Sequence, residues 1–201
     1  APGVEPGRSK ALTQNIDVMP TVMEYFQVNK KLHYEIHGKS LMPVLKNEVC
    51  QIREGTIFGY FGKQVAYTDG TYVYMRAAKE ESNRPLYVYT AVPSILRQYF
   101  GADDAVKAED YDKIEMGRFL PWINYPVYRI PADIIFFNNP SQEFSKRSPY
   151  NEKNLLFNIK EDYAQEHPIE DEKLEQEYIR KLKDCMRACD AQPEQFERLG
   201  I

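Results

Sequence analysis

Apolar residues recur along this chain with two different spacings, and each spacing predicts a different kind of element. The first stripe consists of Val18, Met19, Val22 and Phe26, in which Val22 follows the first two by four and three positions and Phe26 follows Val22 by four. Such intervals place side chains on one face of an α-helix. Asp17 is the candidate N-cap, and Pro20 would lie in the first turn, where its missing N–H has no intrahelical partner to lose. We therefore predict a helix that begins after Asp17 and ends near Val28.

After Gly55 the spacing changes, and short runs rich in β-branched and aromatic residues follow. These runs predict strands. The predicted strands are Thr56–Tyr60, Gln64–Tyr67, Thr71–Met75 and Leu86–Tyr89. Asp69-Gly70 lies between two of them and favours a hairpin, because a tight turn needs positive φ. We expect an antiparallel meander of three or four strands.

The C-terminal third returns to helical spacing. Leu155–Ile159 is short enough for one more strand, and the stretch from Glu170 to Cys189 is the clearest helix of the chain. Its apolar face consists of Leu174, Tyr178, Leu182, Cys185, Met186 and Cys189. Between the two regions we predict a helix over 94–100 and a surface loop over 138–154.

The fold class that these elements predict is α+β. A small antiparallel sheet should pack against the long C-terminal helix, and a helix-loop segment should precede the sheet. With 201 residues, of which 43% are hydrophobic, the chain can bury a sizeable core.

Charge and composition exclude some classes of partner. The formal net charge is -4, which gives no general attraction for phosphate backbones or anionic membrane surfaces. No apolar run approaches the ~18 residues that a membrane-spanning helix needs. We therefore expect neither a nucleic-acid partner nor a membrane.

The three cysteines are Cys50, Cys185 and Cys189. An odd and small number argues against a disulfide framework. Cys185 and Cys189 are four apart on the predicted helix and could in principle share a metal ion, but no histidine or third cysteine is near in sequence. We prefer to interpret them as buried thiols of the helix face. His33 and His37 have the same spacing, but Gly38 makes a helical metal pair an unfavourable interpretation.

Five stretches, taken in order, carry a resemblance to a known family. They are Asn15–Glu24, His37–Leu45, Ile57–Gly62, Thr68–Tyr74 and Leu156–Asp162. The first two follow an "ID-x-x-PT" helix and an "hGkSL-x-P-x-L" pattern, the next two contain a "tDG-x-y-x-Y" hairpin, and the last is similar to an "LYDLexDP" element. Together they resemble the C-terminal third of sulfatases, the formylglycine-dependent branch of the alkaline phosphatase superfamily.

The resemblance implies a domain organisation and an activity. Residues 1–50 would be the last segment of a larger α/β catalytic domain, and residues 51–201 would form the C-terminal subdomain. The intact protein would be a sulfuric ester hydrolase that acts on a small-molecule sulfate ester. A phosphonate or phosphate ester is the alternative substrate within the same superfamily. The resemblance leaves the compartment open between cytoplasm and periplasm.

The catalytic groups of that family are not expected in this chain. The nucleophile is an aldehyde hydrate made from the Cys or Ser of a C/S-x-P-x-R motif, and it acts beside a Ca²⁺ or Mg²⁺ ion. None of the cysteines is followed by that pattern, and no serine is either. Formylglycine and the divalent cation would therefore belong to an N-terminal part, and these 201 residues alone should be inactive, with no catalytic residue and no metal ligand.

Two aromatic segments are candidates for the rim of a substrate site. In the first, Tyr60 and Phe61 could stack on a sugar or aryl group while Lys63 attracts an anion. The second consists of Arg118, Trp122 and Tyr125. The simpler interpretation, which we prefer for both, is that the aromatic side chains fill the core.

The rival class of protein is a non-catalytic module that binds carbohydrate or another protein through its aromatic face. A difference in surface separates the two hypotheses. The C-terminal part of a larger enzyme should expose an unusually large apolar patch at the first helix, and that patch could drive dimerisation, whereas an independent module should not expose one.

Overall fold

The computed structural model describes residues 6–28, 32, 34–92, 94–95, 98–99, 108–134 and 153–201. The chain divides into two compact units, and each consists of several segments. The first unit comprises Ala1–Gly59, Val65–Arg76 and Asn154–Asp190, and the second comprises Tyr60–Gln64, Ala77–Lys153 and Ala191–Ile201. The expected division at residues 50 and 51 concerns a larger parent and stays a prediction.

The first unit contains a four-stranded antiparallel sheet. Its strands are β1 (Thr56–Gly59), β2 (Val65–Thr68), β3 (Tyr72–Arg76) and β9 (Leu155–Asn158), in the order β1-β2-β3-β9. Thr68 pairs with Val73 across the predicted Asp-Gly hairpin. Gly70 has φ +83° there, and the Asp69 carboxylate accepts hydrogen bonds from the amides of Thr71 and Tyr72. The hairpin prediction is thus confirmed.

The long C-terminal helix, α3 (Glu172–Ala188), covers one face of this sheet. Asp171 caps its first turn by accepting a hydrogen bond from the amide of Leu174. Tyr178, Leu182 and Met186 are buried, and the Tyr178 ring contacts the rings of Tyr67 and Tyr72. The predicted α+β fold class, a small antiparallel sheet packed against the C-terminal helix, is confirmed.

Polar groups fix the angle of α3 on the sheet. The Tyr178 hydroxyl donates to the Asp69 carboxylate at 2.5 Å, and the Lys181 ammonium lies 3.2 Å from the same carboxylate. Tyr74, fully buried in β3, donates to Glu175 at 2.9 Å. The hairpin turn is therefore bonded to the middle of the helix.

Two short helices precede the sheet. They are α1 (Val18–Tyr25), which follows a 3-10 turn over Asn15–Asp17, and α2 (Met42–Leu45). The first helix ends three residues before the predicted end at Val28, because Gln27 adopts a left-handed conformation with φ +54°. Asp17 directly precedes α1 as predicted, but its carboxylate bonds elsewhere and does not cap that helix.

The second unit has its own antiparallel sheet, in the order β4-β8-β7. Its strands are β4 (Tyr87–Thr90), β7 (Glu115–Gly117) and β8 (Val127–Pro131), and the unit also contains a short hairpin of β5 (Ser94–Ile95) and β6 (Gln98–Tyr99) and the helix α4 (Pro193–Leu199). Leu86, Val127, Ile130 and Leu199 are buried in its core.

The expected meander of three or four strands has three, β1, β2 and β3, and the fourth strand of that sheet is β9. The run at 86–89 is a strand as predicted, but it belongs to the second unit as β4, because residues 77–86 separate it from β3 and exceed a hairpin turn. One sequence prediction for the second unit is wrong. The helix expected over 94–100 is replaced by the β5-β6 hairpin, in a segment where Ile95, Tyr99 and Phe100 favour strand. Most of the loop predicted over 138–154 lies outside the described residues.

Within the described part of the chain, the structure contains no helix that is both long and apolar enough to cross a membrane.

Candidate functional site

The buried carboxylate of Asp17 joins the first two stretches of the resemblance. Asp17 is 0% exposed and accepts hydrogen bonds from the amides of Gln14, at 2.7 Å, and Lys39, at 2.9 Å. Both guanidinium nitrogens Nη1 and Nη2 of Arg53 also donate to this carboxylate. Four donors thus hold one side chain, and they tie the turn before α1 to the His37–Leu45 stretch and to the entry of the sheet.

Electrostatics keep this carboxylate ionised. Burial alone would raise the pKa of Asp17, but the hydrogen bonds from Arg53, Lys39 and Gln14 and the charge of Arg53 lower it to about 2. The same contact raises the pKa of Arg53. At neutral pH the pair is therefore an ion pair inside the first unit, and its role is to hold backbone segments together.

Two further residues of the resemblance complete this junction. The Thr21 hydroxyl donates to the carbonyl of Asp17 at 2.6 Å and accepts from the amide of Leu41 at 2.8 Å. Gly38 passes so close to α1 that an added Cβ would lie 2.1 Å from the carbonyl oxygen of Ile16. The motif residues are therefore of types that permit close contact between two backbone segments.

The first predicted rim lies in the turn after β1. Tyr60 is 80% exposed, Phe61 is 42% exposed and Lys63 is half-buried. Gly59 and Gly62 have positive φ values of 149° and 73°, which glycine accommodates without steric cost. The preferred interpretation that both aromatics fill the core is wrong, because both rings face solvent; their role at a substrate site stays a prediction.

Buried polar residues donate hydrogen bonds to the backbone of this turn. Asn83 donates to the carbonyl of Gly62 at 2.8 Å, and Arg198 donates to the carbonyl of Lys63 at 3.2 Å. Arg198, which is 2% exposed, also donates to the side-chain carbonyl of Asn83 at 2.8 Å. The backbone that carries Tyr60 is thus fixed by a hydrogen-bonded network of the second unit.

The second predicted rim lies in the loop between β7 and β8, which carries Arg118, Trp122 and Tyr125. All three side chains are exposed, and the Trp122 side chain retains 38% of its accessible area. Core packing is therefore the wrong interpretation of Trp122 and Tyr125 as well. The structure places the two rims in separate loops of the second unit.

One ring anchors the β7-β8 loop to its sheet. The Arg129 guanidinium carbon lies 4.5 Å from the centroid of the Phe119 ring and 5.1 Å from that of Tyr87. Both oxygens of Glu115 accept hydrogen bonds from Arg129, at 2.8 and 2.7 Å. Phe119 therefore fixes the start of the loop and leaves the rim residues beyond it exposed.

A groove of about 810 Å³ opens on the first unit, at the C-terminal end of α3. Cys185 and Cys189 line it together with His37, Lys39 and Arg53. Neither thiol is fully buried, so the interpretation as core cysteines is wrong. Burial and the neighbouring Cys189 raise the pKa of the Cys185 thiol to about 11.

Other candidate residues have structural or solvent-facing positions. The Nε2 atom of His37 lies 3.1 Å from a carboxylate oxygen of Asp190, while His33 lies outside the described residues. Of the acidic pairs, Glu80 and Glu81 are exposed, Asp171 caps α3, and the pair at 103–104 is also outside the described residues.

No protein-family model matches this chain, and a search of the curated proteins finds no match either. In the residues that the structure describes, the chain is an α+β protein with a four-stranded and a three-stranded antiparallel sheet and a short two-stranded hairpin, and its function is argued from the site alone.

Sequence reasoning missed the residues that support the site. Arg53, Asn83 and Arg198 act on partners that are 36, 21 and 135 residues away in sequence, and no local pattern marks such pairs. A weak signal existed for Arg53, since a buried aspartate requires a cationic or hydrogen-bonding partner somewhere in the chain.

Proposed function

We propose that this chain is the C-terminal part of a sulfatase-type enzyme, which hydrolyses sulfate esters by means of formylglycine and a divalent cation in an N-terminal catalytic domain. The observation that carries the proposal is the exposed apolar face of α1. It corresponds to the surface expected if the helix packs on strands of a larger α/β domain.

The apolar face of α1 is extensive. No residue of α1 is buried, and Phe26 and Val18 are 68% and 58% exposed. The exposed large apolar residues of α1 and of the positions that flank it are Ile16, Val18, Met19, Val22, Tyr25, Phe26 and Val28. Such a concentration of exposed large apolar residues on one short segment is characteristic of a surface that another protein element covers.

The Asp17 junction explains why this face does not fold inward. Asp17 and Thr21 attach the other side of α1 to the His37–Leu45 stretch by accepting hydrogen bonds from the amides of Lys39 and Leu41. The orientation of the helix is thus set by polar contacts, while its apolar residues remain available. Such an arrangement suits a helix that closes one domain and joins it to the next.

The later stretches of the resemblance also take structural positions that suit the proposal. The "tDG-x-y-x-Y" hairpin forms the β2-β3 turn, and the Leu156–Asp162 element begins in β9, the next strand of the same sheet. The Asp162 carboxylate then accepts hydrogen bonds from the amides of Glu166 and His167 before α3 begins. In the intact enzyme the exposed rims would border the cleft and help select the ester.

The first experiment is to sequence the coding DNA upstream of Ala1, in frame, and to express the longer protein. We expect a C/S-x-P-x-R motif, early paired aspartates, and hydrolysis of 4-nitrophenyl sulfate that the 201-residue chain does not support. Hydrolysis of the phosphate or phosphonate ester in place of the sulfate would assign the alternative substrate. A start codon immediately before Ala1 would overturn the proposal.

A second experiment tests the apolar face in the 201-residue chain. We expect self-association at micromolar concentration in sedimentation velocity, and we expect the double variant Val22→Ser/Phe26→Ser to be monomeric. Tyr163→Ser is the matched control, because Tyr163 is 89% exposed in the same unit and belongs to the connection between β9 and α3. A wild-type chain that stays monomeric throughout the range would argue against a surface that requires cover.

The exposed rings of Tyr60, Trp122 and Tyr125 favour a second candidate function, a non-catalytic module that binds carbohydrate. Rigid support of an exposed aromatic side chain lowers the entropy cost of binding. Substitutions distinguish the two candidate functions. A stand-alone binding module should lose affinity for carbohydrate with Tyr60→Ala, and its affinity should not change when Val22 or Phe26 is replaced.

A further inference from the structure

We propose that Cys185 and Cys189 form a two-coordinate site for a soft monovalent metal ion. Cu(I) is the ion with which the site can be tested. The two residues are four apart at the C-terminal end of α3, so both side chains project from the same face. Both residues also line the same groove. Two sulfur atoms are thereby placed on one helix face before any ligand binds.

The pair is accessible from solvent. Both residues are only half-buried and line the groove of about 810 Å³ on the first unit. Cys189 is the residue that follows the last turn, with φ -103° and ψ 16°, and Asp190 then adopts a left-handed conformation with φ +53°. Cys189 therefore lies at the very end of the helix, one turn after Cys185.

The number of ligands determines the class of metal. In the described residues, no group of three or more histidine, cysteine, aspartate or glutamate side chains could hold a metal ion. Structural zinc needs four ligands in a tetrahedron, so a pair of thiols does not satisfy it. Soft thiolate ligands select Cu(I), which two sulfur atoms can bind in a nearly linear arrangement.

The surroundings favour the charge of the complex. When Cu(I) binds, two S–H bonds break, two S–Cu bonds form, two protons pass to solvent, and no electron is transferred. The resulting bis-thiolate complex carries one negative charge. The Arg53 guanidinium lines the same groove and is close enough for its charge to interact with both sulfur atoms. A fixed cation beside an anionic complex stabilises it.

Alternative roles for the pair are less well supported. A catalytic thiol is usually activated by a base such as histidine beside it. His37 lies in the same groove, but its Nε2 atom is in contact with Asp190. Among the described residues, the pair itself is thus the metal-binding unit.

The test is an anaerobic titration of the reduced full chain with Cu(I) in the presence of bicinchoninate, a chromophoric chelator that competes for the ion. We expect the protein to withdraw one Cu(I) per chain. Cys185→Ser and Cys189→Ser should each lower the affinity by more than about 100-fold, since even loss of an outer-shell partner costs 10- to 100-fold. Cys50→Ser is the matched control, because Cys50 is exposed and distant in sequence from the pair, and it should keep full affinity.

Circular dichroism of each variant separates loss of the site from loss of the fold. Equal Cu(I) uptake by the wild type and by folded Cys185→Ser would overturn the proposal, and so would loss of uptake in Cys50→Ser. If the wild type takes up no Cu(I) but dilute peroxide removes two hydrogen atoms from the 185–189 pair, the pair is a redox couple and the metal assignment is wrong.

Discussion

Replacing Asp17 with asparagine removes the charge at the centre of the junction between α1 and the His37–Leu45 stretch, with almost no change of shape. A native pKa of about 2, against about 3.9 in an unfolded chain, corresponds to about 2.5 kcal/mol of stability from the ionised carboxylate. Removing one partner of a buried ion pair costs about 3–5 kcal/mol. The asparagine oxygen can still accept from backbone amides, so we expect a loss of about 3 kcal/mol at pH 7.

The pH dependence of this loss follows from the direction of the pKa change. Because the pKa of Asp17 is lowered on folding, its contribution is complete above the unfolded value near 4 and disappears as the pH falls through 2. The difference in unfolding free energy between wild type and Asp17→Asn should therefore be constant from pH 7 to about pH 5 and shrink below that.

Urea denaturation followed by circular dichroism at 222 nm measures this difference, because α3 belongs to the same unit as Asp17 and is the longest helix in the described residues. The matched control is Asp184→Asn, which removes an exposed ion pair with Arg187 on that helix. Its effect should be near zero. Equal losses in the two variants, or a loss for Asp17→Asn that persists at pH 2, would refute the assignment of a stabilising buried charge.

Three further substitutions test the packing, each by denaturant unfolding. Gly38→Ala should cost at least about 2 kcal/mol, because its Cβ would lie 2.1 Å from the carbonyl oxygen of Ile16; an unchanged midpoint would mean that the two backbones are farther apart. Leu182→Ala should lower the free energy of unfolding by about 2–5 kcal/mol, since Leu182 is fully buried under the sheet; a loss below about 1 kcal/mol would contradict that burial. Asn83→Ala should cost about 1–3 kcal/mol and speed amide exchange in residues 60–63, because Asn83 donates to Gly62; unaltered exchange would show that the turn has other support.

Local patterns in the sequence predicted the first unit well. Strands β1, β2, β3 and β9 and helix α3 each follow from residue spacing, and Asp69-Gly70 marks the hairpin correctly. These elements have clear patterns because the sheet has one face against α3, which selects apolar residues at regular intervals. The antiparallel pairing of β1, β2 and β3 follows from the predicted meander, whereas the pairing of β9 with β3 does not, since the partner residues are at least 80 positions apart in sequence.

The second unit was predicted poorly for a physical reason. Its strands are separated by long connections, and its core includes polar residues such as Arg198 and Asn83, which local hydrophobicity assigns to the surface. The opposite error concerns Tyr60. It was expected in the core, because an aromatic residue next to a strand is more often buried, but its side chain is exposed. The hydrogen bonds that fix this turn come from α4 and from Asn83, and neither can be inferred from the local sequence.

Three residues that carry the family resemblance, Asp17, Thr21 and Gly38, hold backbone segments together. Asp17 is fully hydrogen-bonded and ionised, Thr21 connects two backbones, and Gly38 is present because nothing larger fits. A helix that is held at a fixed angle needs residue types of this kind at its contacts. Their similarity to the sulfatase pattern is therefore evidence about how α1 is attached to its neighbouring segments. The function of α1 depends on its other side, where Val22 and Phe26 are exposed. The sulfatase proposal is therefore best tested at that face and in the residues upstream of it, before any test of the aromatic rims.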